Sequence, residues 1–233
     1  MFVKQECSGK AALRRARRQA AGGASLRGRG VTLVELIIVL AIAAILVATG
    51  APIYMQTVAT YRLDAETNAL LGDLQYARSE AIKQGTDIVI CASANATGGS
   101  PTCSTGNNWA AGHIVALNPP GSSGTSGLPA NPTPLRQMAG FSGSDTANAY
   151  FISGTATGSA INAIQFSRDG FAGTPSSTSW NGFSSLTQNV FIYVHPSPYG
   201  TAAGVGKCIS ISNVGLMQVI AVGAKDNLGN KCT

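Results

Sequence analysis

The residue most in need of a chemical explanation is a carboxylate inside grease. From Val31 to Ala51 only Thr32, Glu35, Thr49 and Gly50 interrupt an otherwise aliphatic run. An acidic side chain deep in hydrocarbon costs about 2.5–3.5 kcal/mol, somewhat less near the end of a helix, where Glu35 sits. Such a group calls for a cation, and the run holds none. The other chemically capable residues are sparse. His113 and His195 are the two histidines, and neither has a Cys, Asp or Glu at a catalytic or ligand spacing. No serine sits in Gly-x-Ser-x-Gly, and Gly121–Gly127 lacks the Gly-Lys-Ser/Thr ending of a phosphate loop. No Cys-x-x-Cys occurs, so the pattern predicts neither enzyme, metal site nor cofactor. Cys91, Cys103, Cys208 and Cys232 are an even set that suits an oxidising compartment. Four cysteines allow three pairings. Cys91–Cys103 with Cys208–Cys232 is favoured because each closes a local loop.

The elements that must position these residues begin with the apolar run. At about 1.5 Å per residue it makes a helix roughly 30 Å long, the thickness of a bilayer core. Charge supports that reading. Residues 1–30 carry Lys4, Lys10, Arg14, Arg15, Arg17, Arg18, Arg27 and Arg29 against Glu6. The overall formal charge of +6 therefore resides in this leader, which also holds Cys7, and the remainder is close to neutral. A basic cluster before an apolar helix places the N-terminus in the cytoplasm and everything after Pro52 outside. It is no argument for a nucleic-acid-seeking mature protein.

Gly30-Val31-Thr-Leu-Val-Glu35 followed by the apolar helix resembles the class III signal of type IV prepilins and type II secretion pseudopilins. The resemblance implies that a prepilin peptidase cuts after Gly30 and that Val31 becomes the N-methylated first residue, although Val31 stands where phenylalanine is usual. It makes Glu35 the subunit-assembly glutamate, meeting the new amine of a neighbouring subunit, and Pro52 the helix-kinking proline. Cleavage at Ala48-Thr49-Gly50 by the general signal peptidase and an uncut single-pass anchor are the two other readings of the segment.

Beyond Pro52 a second helical half is expected to about Lys83, stopped by Gly85. Val58, Tyr61, Leu63, Leu70, Leu71, Leu74, Ala77 and Ala81 form its apolar stripe. Asp64, Glu66, Asp73, Arg78, Glu80 and Lys83 take the other side, with Arg62 and Glu66 at i,i+4. From Asp87 onward short apolar runs alternate with Gly, Ser, Thr, Asn and Pro, the pattern of an antiparallel β domain. Strands are expected near 86–92, 109–117, 147–152, 161–167, 189–194, 206–212 and 215–222, with loops at 93–108, 118–134 and 173–186.

Ala77-Arg-Ser-Glu-Ala-Ile82, the strand Ile88–Cys91, Cys103, Trp109-x-x-Gly112-x-Ile-Val and Phe166-Ser-Arg168-Asp-Gly170 together resemble the GspH/FimT family of minor pseudopilins and minor pilins. The resemblance implies an α+β, pilin-like fold: a long N-terminal helix, membrane-spanning in its first half and kinked at Pro52, packed on an antiparallel β-sheet head. The expected divisions are a leader (1–30), a transmembrane and polymerisation helix (31–53) and a periplasmic head (54–233, amphipathic helix 54–84 plus β domain 86–233). The apolar half is expected to project free of the head.

The implied function is that of a minor pseudopilin of the type II secretion system, with a type IV minor pilin for pilus priming or a DNA-receptor pilin as alternatives. Implied partners are the prepilin peptidase, other pilins or pseudopilins and the inner membrane. DNA is not expected among them, because Leu216 and Gln218 occupy the positions where DNA-receptor relatives carry arginine, leaving Lys207, Lys225 and Lys231 as a small patch.

Overall fold

The computed structural model describes residues 30–117, 133–143, 145–153, 156–176, 179–197 and 205–232. Leader residues 1–29 and the Gly121–Gly127 loop lie outside them. The chain divides into two compact units, Met1–Gly50 and Ala51–Thr233.

One helix, α1 (Leu33–Gln84), contributes to both units. In the first unit its residues are exposed, aliphatic, and long enough in sequence to cross a membrane. Pro52 lies within the helix, at the start of the second unit. The helix ends as its sequence dictates. Gly85 adopts φ +64, and Thr86 N donates back to Ala81 O at 3.3 Å, the bond that closes a glycine-terminated helix end.

Among its described residues the second unit carries eleven strands after α1: β1 (Ile88–Ala92), β2 (Gly112–Leu117), β3 (Thr133–Ala139), β4 (Thr146–Ser153), β5 (Ala156–Ile161), β6 (Ala163–Phe166), β7 (Ala172–Ser176), β8 (Ser179–Ser185), β9 (Asn189–His195), β10 (Lys207–Ile211) and β11 (Met217–Ala221). They form a six-stranded sheet, β3-β2-β1-β6-β7-β8, and a five-stranded sheet, β11-β10-β9-β4-β5. Every pairing is antiparallel. This is an α+β architecture with a long helix packed on antiparallel sheets.

One core joins the three layers. Leu63, Leu70, Leu74, Ala77 and Ala81 recur at helical spacing and meet Ile88, Ile90, Val115, Ile164 and Phe166 of one sheet and Val190, Ile192, Val194, Ile209 and Ile211 of the other. Each such aliphatic side chain, fully buried, stabilises by about 1.5–3 kcal/mol. Alternation along β1 sends Val89 and Cys91 to the opposite face, into a second cluster with Ala96, Ile114 and Ala163. Trp109, in a short 3-10 turn (Trp109–Ala111) before β2, is buried with its Nε1 donating to Ile161 O at 3.0 Å.

The structure corrects several expectations. The stretch expected as a loop at 173–186 contains most of β7 and β8, and β3 and β5 were not expected either. β5, β7 and β8 are rich in Gly, Ser, Thr and Pro, and β3 mixes Pro134, Arg136 and Gln137 with Leu135 and Met138, so no period-2 apolar pattern marks them; backbone pairing holds them in the sheets. Residues 109–111 form a turn, and the strand begins at Gly112. On α1, Val58 and Tyr61 leave the apolar stripe (43% and 72% exposed), whereas Asp73, assigned to the polar side, is buried. The i,i+4 pair of Arg62 with Glu66 is replaced by contacts across the fold: Arg62 bonds Asp145 and Glu66 bonds Ser142.

Candidate functional site

The N-terminal segment is built around a helix start. Thr32 immediately precedes α1, and its Oγ1 accepts a hydrogen bond from Glu35 N at 3.2 Å while its carbonyl accepts from Leu36 N at 3.1 Å. Thr32 therefore caps the helix and places Glu35 three positions in, where a carboxylate faces the positive end of the helix dipole. The Thr-x-x-Glu spacing is a capping signal in its own right and was available in the sequence. Gly30 and Val31 stand just outside the helix, exposed. An amine created at Val31 would lie four residues from the Glu35 carboxyl in the same chain.

The head is tied to α1 by charged side chains whose partners lie far away in sequence. Arg62 donates twice to Asp145, Nε to Oδ2 and Nη2 to Oδ1, both at 2.7 Å. The Asp145 side chain is fully buried while that of Arg62 is 32% exposed. The hydrogen bond to Asp145 holds the guanidinium above its ordinary pKa. Beside it, Glu66 Oε1 accepts from Ser142 N and Oγ, and burial, with the Asp145 carboxylate next to it, raises the Glu66 pKa. Lys207 pairs with Asp64.

A second tie is buried. Asp73 Oδ2 lies 2.7 Å from His113 Nε2, and Arg136 Nη1 lies 3.1 Å from Asp73 Oδ1, with the guanidinium stacked over Tyr76. The structure thus gives His113 a carboxylate that sequence spacing did not reveal. Its Nδ1 has no partner, and no hydroxyl or thiol side chain among the described residues bonds to the ring. The trio joins α1 to β2 and β3. His195, at the end of β9, stacks on Tyr193, and burial lowers its pKa.

Arg78, within Ala77–Ile82, forms the third tie. Its Nε donates to Gly170 O and its Nη2 to Val214 O, each at 3.0 Å. One side chain holds two turns against the end of α1. Gly215 has φ +73, and a Cβ there would lie 2.4 Å from Gly170 O and 2.8 Å from Arg78 Nε. Gly215→Ala is expected to destabilise by about 3 kcal/mol, combining left-handed backbone strain with overpacking. Urea unfolding of the detergent-solubilised chain checks this; an unchanged midpoint would remove the clamp from the account.

The cysteines are joined as Cys91–Cys103 and Cys208–Cys232, with Cα separations of 5.6 and 6.0 Å. Loop-closure entropy puts each at about 3 kcal/mol. The second closes the C-terminal loop around buried Asp226, whose carboxylate accepts from Asn189 Nδ2 (2.7 Å), Ser210 Oγ (3.0 Å) and the backbone N of Leu228 and Asn230 (2.9 and 2.8 Å). Burial works against the charge, but the hydrogen bonds from Asn230, Asn189 and Ser210 outweigh it and lower the pKa. A depressed carboxylate contributes stability that is present above its unfolded pKa and lost as pH falls through the folded one. The stability gap between the parent chain and Asp226→Asn is therefore expected to be widest near neutrality and to shrink below about pH 4. Unfolding midpoints measured across pH 2–7 test it.

Among the described residues no three His, Cys, Asp or Glu side chains gather as metal ligands. Residues 26–51 match the prokaryotic N-terminal methylation motif, and residues 66–215 match the family described as type II transport protein GspH. The chain belongs to the GspH family. Its members are structural pilin-like subunits, and the match begins at Glu66 and ends at Gly215, so it takes in the residues of all three ties to α1 apart from Arg62 and Asp64. No curated protein matches the chain. Two crystal forms of the type IV minor pilin FimU of Pseudomonas aeruginosa (strain PAO1) are similar at 23% identity. One match covers 68% of this chain and 87% of FimU with a TM-score of 0.46. The other covers 70% and 91% with a TM-score of 0.41.

Proposed function

We propose that this GspH-family chain is a minor pseudopilin of the type II secretion system, made as a prepilin, cut after Gly30 and methylated on Val31. The observation that carries the reading is the joint presence of a methylation motif over residues 26–51 and a GspH region over 66–215. In this reading residues 31–53 span the inner membrane, the leader stays cytoplasmic, and the head, 54–233, is periplasmic. Other pseudopilins then draw the subunit into the filament, with Glu35 pairing the Val31 amine of a neighbour and Pro52 bending the helix. The two disulfides fit an oxidising compartment. A type IV minor pilin shares each of these features and is the second reading. A DNA-receptor role draws less support, because Lys207 is paired with Asp64, and Leu216 and Gln218 carry no charge.

The test is the intact mass of the membrane-extracted chain, with and without prepilin peptidase. Loss of residues 1–30 plus one methyl group is expected only with the peptidase. A product starting at Ala51, or an uncut chain in a working filament, overturns the proposal.

A further inference from the structure

The first charged side chain after Glu35 is Arg62; from Leu36 to Tyr61 the chain holds no Asp, Glu, Lys, Arg or His. A bilayer's hydrocarbon core takes about 20 helical residues, and this stretch is longer. Its last part belongs to the second unit, where residues 51–58 of α1 are exposed all round the helix. Ala59 is the first buried residue, and Leu63 begins the stripe that packs into the core. The head therefore leaves about two turns of α1 uncovered beyond Gly50.

Ile53, Tyr54, Met55, Val58 and Tyr61 are all exposed there. Successive residues sit about 100° apart on a helix, so Ile53, Tyr54 and Met55 present apolar surface in three directions and not along one seam. The hydroxyls between them need no solvent. Thr57 Oγ1 donates to Ile53 O and Thr60 Oγ1 to Gln56 O, each at 2.9 Å. Polar groups satisfied inside the helix are what a lipid surrounding demands. The Gln56 amide and the Tyr54 and Tyr61 hydroxyls have no partner among the described residues, which suits groups that meet polar headgroups.

Charge then returns at one level. Arg62 and Asp64 follow Tyr61 closely, and both are held to the head, Arg62 by Asp145 and Asp64 by Lys207. Tyr54, Val58 and Tyr61 share one side of the helix at i, i+4 and i+7. The two tyrosines are separated by about 10 Å of rise, enough to cross a headgroup layer from the edge of the hydrocarbon to water. Tyrosine collects at such boundaries, with its ring in the apolar edge and its hydroxyl among the headgroups. A second helix lying along the Tyr54 side would leave Ile53 and Met55 in water. Lipid covers all three.

We propose that residues 53–61 lie in the phospholipid headgroup layer on the side of the head, with Tyr54 and Tyr61 as anchors and the water boundary at Arg62. This deepens the proposed function and rests on the membrane-spanning role given there to residues 31–53. It moves the outer limit of the embedded helix by about two turns. The Arg62–Asp145 contact then stands at the membrane surface, where the first charge of the head meets water.

The probe is a vesicle of phosphatidylethanolamine and phosphatidylglycerol holding the full chain with Cys7→Ser. One spin-labelled cysteine is placed at an exposed position: Ile42→Cys, Ile53→Cys, Val58→Cys, Ala65→Cys or Asn68→Cys. Collision with oxygen, which concentrates in lipid, is compared with collision with a water-soluble nickel chelate. Oxygen is expected to dominate at positions 42 and 53, the two to balance at 58, and nickel to dominate at 65 and 68. Tyr54→Ala with Tyr61→Ala is expected to raise nickel collision at position 58 severalfold, and Tyr54→Trp with Tyr61→Trp to leave it at the parental level. Both tyrosines are exposed, so the urea midpoint of the head should not move. Nickel collision at 53 and 58 as high as at 68, with oxygen dominant at 42, overturns this inference and leaves the spanning helix in place. Nickel dominance at 42 as well overturns both. Labels at 53 and 58 shielded from both reagents, with spin–spin broadening that grows with the protein-to-lipid ratio, would assign the surface to a neighbouring helix and overturns it too. An unchanged depth at 58 in the double alanine variant overturns the anchoring.

Discussion

Glu35→Ala is expected to leave cleavage after Gly30 intact and to lower incorporation into filaments at least tenfold. Insertion does not need the carboxylate; removing an acidic group from the apolar run makes membrane entry easier. The helix start also survives, because Thr32 caps through the backbone N–H of Glu35, which alanine keeps. In the proposed function, what alanine removes is the anion available to the amine that cleavage after Gly30 would create at Val31. In a low-dielectric surrounding such a pair is worth far more than in water, and tenfold takes only about 1.4 kcal/mol. The measurement is the ratio of processed chain in sheared filaments to processed chain in membranes. Glu35→Gln separates charge from size: it should behave as alanine does. Incorporation at the parental level in both variants would mean that the carboxylate serves the helix end alone.

That prediction rests on the part of the molecule most legible in the sequence. A long aliphatic run with one acid, a glycine before it and a basic leader are local facts of composition. Gly85 was readable as a helix stop because a left-handed residue is needed there and glycine supplies it. The β7–β8 hairpin was not readable. Ala-Gly-Thr-Pro-Ser and Ser-Trp-Asn-Gly-Phe-Ser-Ser carry turn residues at strand positions, and the pairing partner decides their conformation. Asp73 failed for a related reason. A carboxylate on a helix reads as solvent-facing until the fold brings His113 and Arg136 to it from β2 and β3. Arg62 and Glu66 show the same limit from the other side: their spacing suits a local pair, but loop residues Ser142 and Asp145 compete for both and win.

Arg62 and Asp145 make the second large prediction, and the two halves of the pair should not cost the same. Arg62→Ala strands a fully buried carboxylate that retains Ser197 N as a donor, at 2.7 Å, while Glu66 stands close by with its own negative charge. An uncompensated buried charge of this kind costs about 3–5 kcal/mol. Asp145→Ala strands the guanidinium instead, but Arg62 is one-third exposed and has Glu66 one helical turn away. It can rehydrate, and it can form the i,i+4 pair that the native head displaces. That variant should lose only about 1–2 kcal/mol, since a partly exposed pair is weakened by solvent. Urea unfolding of both single variants and of the double variant in detergent gives the comparison. The double variant should be more stable than Arg62→Ala alone, because it removes the stranded anion as well as the cation. If instead Asp145→Ala proves the more damaging substitution, the fully buried carboxylate is not what makes the contact costly to break, and the tie between α1 and the loop before β4 must depend on Ser142 and Glu66.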